Sequence, residues 1–134
     1  MSARFTKTFT AGPEHIDVMG HVNNAVWVQW IQDMATAHWD AVARAEDRAR
    51  FVWLVVRHEI DYRGNIAEGE SAVGETFIPG EPKGAKFDRR VDFRNDAGKV
   101  IVSANTTWAM LDAETLRPQR VRAEIAAPFF EDTE

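Results

Sequence analysis

The sequence predicts an α+β fold, with one long apolar-faced helix laid against an antiparallel sheet. Three observations predict it. One stretch of helical periodicity runs from about Asn24 to Ala45, and nothing else in the chain looks like a second long helix. Four strand-like segments follow it in succession. Most of their connections are short enough for antiparallel neighbours. The 134 residues fit a single domain, 1–134, with one core.

Arg4 to Thr10 alternates as a strand, Phe5 and Phe9 on one face and threonines on the other, until Ala11-Gly12-Pro13 breaks it. In the helix, Trp27, Trp30, Ile31, Met34, His38, Ala41 and Val42 recur at spacings of three and four. Asn23 or Asn24 suits its N-cap. Glu46 to Arg50 reads as a charged exit. Phe51 to Arg63 is a long strand, with Val52, Leu54, Val56, His58, Ile60 and Tyr62 expected on one face. Glu70 to Ile78 is the next strand, and Pro79 to Gly84 a loop. Lys86 to Arg94 and Lys99 to Leu111 form a hairpin about Asn95-Asp96-Ala97-Gly98. The C-terminal stretch carries Pro118, Pro128 and the pair Phe129-Phe130. The start of the Phe51 strand is apolar on both faces, which predicts that a second subunit covers part of it, two-fold pairing through sheet edges being the commonest solution.

Composition narrows the function. Hydrophobic residues make up 45% and charged residues 28%, as in ordinary soluble domains. The formal charge of −5 argues against a general nucleic-acid binder. No apolar run is long enough to span a bilayer, and the N-terminal residues lack a secretory signal's apolar core, so a cytoplasmic location is expected. The absence of cysteine rules out disulfides, thiolate catalysis and cysteine-based zinc sites. His15, His21, His38 and His58 lack metal-ligand spacing, so no metal is expected. His38 and His58 read as satisfied core histidines.

The chemistry concentrates in Asp17-Val18-Met19-Gly20-His21-Val22-Asn23-Asn24, just before the helix. A helix start gathers unpaired N–H groups and positive partial charge. A carboxylate such as Asp17 beside those donors could attack a polarised carbonyl or activate water to do so; it could equally be a turn former. The N–H groups near Val22 to Ala25, that of Asn24 among them, could form an oxyanion hole, or Asn24 could simply cap the helix. His21 suits either positioning of substrate or packing of the loop.

Through Trp27, this segment resembles the Asp-x-x-Gly-His-Val-Asn-Asn-x-x-aromatic motif of hotdog-fold acyl-CoA thioesterases, the 4-hydroxybenzoyl-CoA thioesterase-like group. Ile60-Asp61-Tyr62-Arg63 followed by Gly69-Glu70 resembles the strand and turn after that group's helix. The resemblance implies a five-stranded antiparallel sheet wrapped around one long central helix. It also implies homodimers or homotetramers with active sites at the dimer interface, and hydrolysis of an acyl-CoA thioester. No cofactor is implied, coenzyme A being part of the substrate. The chain departs from the pattern in carrying Trp27 for the frequent tyrosine, and Gln32 and Ala35 where several relatives have glutamate and arginine. The catalytic burden therefore falls on Asp17.

Clustered Lys and Arg bind phosphates, so Lys86, Arg89 and Arg90, with Arg63 beside them, are candidates for the coenzyme A phosphates. A solvated face of cross-strand ion pairs is the competing reading. Trp27 could wall the acyl pocket or lie in the core. Two other functions fit the same fold: hydrolysis of acyl groups carried on acyl carrier protein, and acyl-CoA binding without catalysis.

Overall fold

A computed structural model describes residues 3–131. Met1 and Ser2, at the head of the segment read for a signal, lie outside the described residues. The elements are β1 (Phe5–Thr10), α1 (Asn24–Val42), α2 (Ala45–Arg50), β2 (Phe51–Tyr62), β3 (Ser71–Phe77), β4 (Lys86–Arg94), β5 (Val100–Asp112) and α3 (Ala123–Ala126). The strands form one antiparallel sheet in the order β1-β3-β4-β5-β2, which leaves β1 and β2 as its edges. This is the hotdog arrangement, with α1 as the central helix. No helix of the described residues is long and apolar enough to cross a membrane.

Asn23 caps α1, its side chain accepting from the Ala25 N–H at 2.9 Å. The helix ends at Val42, short of Ala45, because Ala43 and Arg44 turn extended. The expected charged exit is instead the short helix α2, clamped by a bidentate pair from Arg44 to the buried carboxylate of Asp47 at 2.8 and 3.0 Å. Trp27, Trp30, Ile31, Met34, Ala35, His38 and Trp39 are the buried face of α1, whereas Ala41 is exposed. Gly74 lets α1 settle on the sheet: a Cβ there would lie 2.8 Å from Met34 Sδ and 3.1 Å from the Phe93 ring.

Two apolar clusters sit between helix and sheet. One holds Trp27, Trp30, Met34 and Phe93; the other holds Trp39, Phe51, Phe87, Met110 and Phe129. The C-terminal segment closes the second, with Phe129 stacked on Trp39 at 5.8 Å.

The strand after the helix corrects one expectation. A bulge between Val55 and Arg57 shifts its pairing with β5 by one residue. Side chains alternate strictly, so the bulge reverses the faces. Phe51, Trp53 and Val55 point inward, followed by His58 and Ile60, while Val52, Leu54 and Val56 are exposed on the other side. The six residues expected on one face are therefore split between two.

Candidate active site

The Asp17 loop is a closed turn. Ile16 and Val22 pair as an antiparallel bridge. Within it the Asp17 N–H donates to His21 O at 2.9 Å and the Gly20 N–H to Asp17 O at 3.0 Å. Gly20 sits at φ +79°, a left-handed conformation that glycine adopts without strain. The half-buried carboxylate of Asp17 folds over this turn, Oδ1 accepting from Met19 N–H at 2.9 Å and from His21 N–H at 3.3 Å. Oδ2 accepts no hydrogen bond from the described residues. Asp17 is thus a turn former with one oxygen left over for chemistry. Val18 and Met19 stand fully exposed at the tip.

The helix start is more selective than the sequence indicates. Of the four N–H groups from Val22 to Ala25, three are taken. Val22 donates to Ile66 O at 3.2 Å, Asn23 to His15 O at 2.9 Å, and Ala25 to the Asn23 side chain at 2.9 Å. Asn24 alone has an N–H without a partner among the described residues. It lies at the electropositive end of α1, where an oxyanion would be stabilised. The exposed His21 imidazole has no partner among the described residues; its backbone serves the turn.

Two residues to which the sequence assigns no role in the site hold this corner together. Asn65 donates to Val22 O at 3.0 Å and accepts from the Trp27 indole N–H at 3.3 Å. Tyr62 donates its hydroxyl to Asn24 O at 3.4 Å, joining the far end of β2 to the helix start. Trp27 is fully buried against Trp30 and Phe93, so it is core rather than an open pocket wall.

The basic residues separate. Alternation along β4 turns Arg89 inward while Lys86 stays exposed on the opposite surface. Arg90, on the outer face, donates to Ser103 at 2.8 Å, and Ser103 in turn donates to Asp92 at 2.7 Å, which matches the cross-strand network of the competing reading. Arg63 faces Asp61 at 3.7 Å in the open. Lys86 has no ion pair among the described residues; with Lys83 and Arg57 it lines a shallow depression on the outer face. Arg89 does not present its guanidinium there at all.

Arg89 belongs to the interior. Its Nη1 donates to His38 Nδ1 and to Thr76 Oγ1, both at 2.9 Å. Burial, then the neighbouring guanidinium, pushes His38 down to about 3, so the imidazole is a neutral acceptor. Burial pushes Arg89 down to about 9, which still leaves it a cation at neutral pH. His38 is the satisfied core histidine its place on the stripe predicts. His58 is not fully satisfied: Nδ1 meets Thr106 Oγ1 at 2.8 Å, but Nε2 is buried without a partner among the described residues. Beside Arg89 an apolar cavity of about 230 Å³ opens between α1 and the start of β2. Ala35, Thr36, Phe51, Trp53, Arg89 and Trp108 are among its walls.

A loop carboxylate, a helix-start N–H without a partner among the described residues and an apolar cavity are groups that acyl-transfer chemistry can use. The model of one family, the acyl-ACP thioesterase N-terminal domain, matches residues 2–129.

The chain belongs to this thioesterase family.

Among solved structures, it is similar to an acyl-ACP thioesterase from Bacteroides thetaiotaomicron, with a TM-score of 0.80 and 21% identity over 96% of this chain and 54% of that one. The chain therefore spans about half of that protein. It is also similar to the protein SAV2348 from Staphylococcus aureus, solved in complex with CoA, with a TM-score of 0.81 and 14% identity over 96% and 82% of the two chains. A third is Slr0204, a 1,4-dihydroxy-2-naphthoyl-CoA thioesterase from Synechocystis, with a TM-score of 0.78 and 11% identity over 95% and 96%. At these identities the likeness shows the hotdog fold alone. A sequence comparison with curated proteins finds no match.

Proposed function

We propose that this thioesterase-family protein hydrolyses acyl-CoA thioesters, with Asp17 as nucleophile or general base and the Asn24 N–H as oxyanion donor. The observation that carries the reading is a carboxylate oxygen on the closed loop and, seven residues on, a helix-start N–H, both without a partner among the described residues. As nucleophile, Asp17 attacks the thioester carbon and expels the coenzyme A thiolate, and water then hydrolyses the mixed anhydride to free the acid and restore the carboxylate. As base, it takes a proton from water as the hydroxyl adds to that carbon, and the proton passes to the departing sulfur. In both routes the Asn24 N–H holds the developing oxyanion. His21, beside the carboxylate, is assigned to positioning the thioester. Lys86 is the best placed of the basic residues for the phosphates, since Arg90 and Arg63 face carboxylates.

The site needs two copies of the chain. The cavity opens at Phe51–Trp53, whereas Tyr62 and Asn24 mark the other end of β2. Along α1 the helix start at Asn24 and the Ala35 wall of the cavity lie about 16 Å apart, so a short acyl group held in the cavity does not reach Asn24 of its own chain. Antiparallel pairing of two β2 edges about a two-fold axis brings the Tyr62 end of one copy to the Phe51 end of the other. Exposed Val52, Leu54 and Val56 give that edge an apolar face. A homodimer with two composite sites follows, and a tetramer would be a pair of such dimers.

A second reading has its own support. The matching family model is named for acyl-ACP substrates, while the loop motif resembles the 4-hydroxybenzoyl-CoA group. The test is thiol release from a panel of short, medium, long and aryl acyl-CoAs, alongside the same acyl groups on acyl carrier protein. The proposal expects turnover on coenzyme A, reduced by about 100-fold or more in Asp17→Asn. Turnover confined to the carrier protein would favour the second reading, and binding without turnover on either carrier would remove catalysis from both.

A further inference from the structure

We infer that the cavity at the start of β2 accepts an acyl group whose far end carries an oxygen acceptor, a carboxylate above all, held by Arg89. Three observations carry this. First, Arg89 is 5% exposed, lines the cavity, and has no carboxylate partner among the described residues. Second, its bonding is one-sided. Both hydrogens of Nη1 are spent on His38 and Thr76, while Nε and Nη2 make no hydrogen bond to the described residues. A buried cation with unused donors is costly to keep unless something binds it, and a planar guanidinium matches a carboxylate. Third, Trp108 lies in the same wall and its indole N–H is buried without a partner among the described residues. An indole N–H can only donate. The Arg89 and Trp108 groups that lack partners among the described residues are therefore donors in apolar walls, and an acceptor-bearing ligand would satisfy them.

His38 and Thr76 fix the guanidinium from behind, so its open side faces the cavity with little freedom to turn away. The cavity, at about 230 Å³, is smaller than the roughly 300–1,000 Å³ of sites for drug-sized ligands. That suits a short chain or a single ring. The positive charge in the cavity wall would reject a plain hydrocarbon tip, because the tip would desolvate donors without pairing them.

This inference rests on the thioesterase reading only for its kinetic test, and its binding test is independent. In the kinetic test, matched acyl-CoAs are compared: butyryl with succinyl, hexanoyl with adipoyl and 6-hydroxyhexanoyl, octanoyl with suberoyl. The expected result is a kcat/KM at least about tenfold higher for a carboxyl-tipped substrate than for its methyl-tipped partner at one or more lengths. The hydroxyl tip should fall between. Arg89→Met should abolish the ratio and Arg89→Lys should restore part of it. The ratio does not depend on how much of a variant folds. In the binding test, adipic acid monoamide and hexanamide are titrated calorimetrically, the amide standing in for the thioester. The carboxylate compound should bind about tenfold tighter to wild type, with no preference in Arg89→Met. Equal or better handling of the methyl tip at all lengths in both tests overturns the inference, as does a preference that survives Arg89→Met. If no thioester is cleaved but the monoamide is preferred, the hydrolysis reading fails and the ligand inference stands.

Discussion

Arg89 Nη1 donates to His38 Nδ1 across 2.9 Å in the polar layer that divides the two apolar clusters beneath α1. This bond requires a neutral imidazole, and the burial that enforces it has a consequence for acid stability. The folded chain protonates His38 only near pH 3, whereas the unfolded chain does so near 6.5. Between those values the unfolded state binds more protons, so stability falls as pH drops, by up to about 1.4 kcal/mol per pH unit. Above that window this group makes no difference. Denaturant titrations from pH 7 to pH 4 should show the loss, and His38→Asn, which keeps an acceptor but no titration, should show less of it.

The same bond predicts a cost of removal. His38→Ala strands an N–H of a buried guanidinium and opens a void between Phe5 and Phe129, whose rings pack against the imidazole at 5.1 and 5.0 Å. A loss of about 3 kcal/mol is expected from urea unfolding.

Gly74 is a point of contact between sheet and helix, not a turn. Gly74→Ala would press a methyl group into Met34 Sδ at 2.8 Å, and the Phe93 ring leaves little room for retreat. Thermal or urea unfolding should show destabilisation of about 1–3 kcal/mol.

Asp17 carries two roles that substitution can separate. Asp17→Asn keeps a side-chain oxygen for the Met19 and His21 N–H groups, so the turn should hold while turnover collapses. Asp17→Ala loses both bonds as well, and should cost an extra 1–2 kcal/mol or so in unfolding experiments.

Leu54 is 54% exposed on the edge strand β2. A charge placed there should not disturb the chain's own core but should oppose pairing with a second copy. Leu54→Glu is expected to shift light-scattering mass toward the monomer and to lower turnover with it.

Much of this architecture can be read from the chain because its signals are local. The helical stripe through Trp27, Trp30, Ile31 and Met34 and the alternation of β4 follow from periods of 3.6 and 2. The candidate loop stands out for the same reason, as Asp17, Gly20 and the asparagine cap all act within a few residues. What escapes is set by pairing at long range. The bulge at Val55/Arg57 comes from register with β5 and leaves no mark in the composition of β2. Arg89 looks like a member of a basic surface cluster until β3 and α1 deliver Thr76 and His38 to it. The competition for N–H groups that leaves Asn24 open depends on Ile66 O and His15 O, neither adjacent in sequence.

In the proposed dimer the Asp17 of one copy serves the cavity of the other. Complementation tests it most directly. Asp17→Asn removes the carboxylate, and Thr36→Trp fills the cavity from its exposed wall residue. Each variant alone should be inactive. Unfolded together and refolded, they should form mixed dimers with one intact site in two, recovering about a quarter of wild-type turnover. Mixed dimers that form and stay inactive would contradict the composite site, and full turnover in Asp17→Asn alone would contradict the chemistry assigned to it.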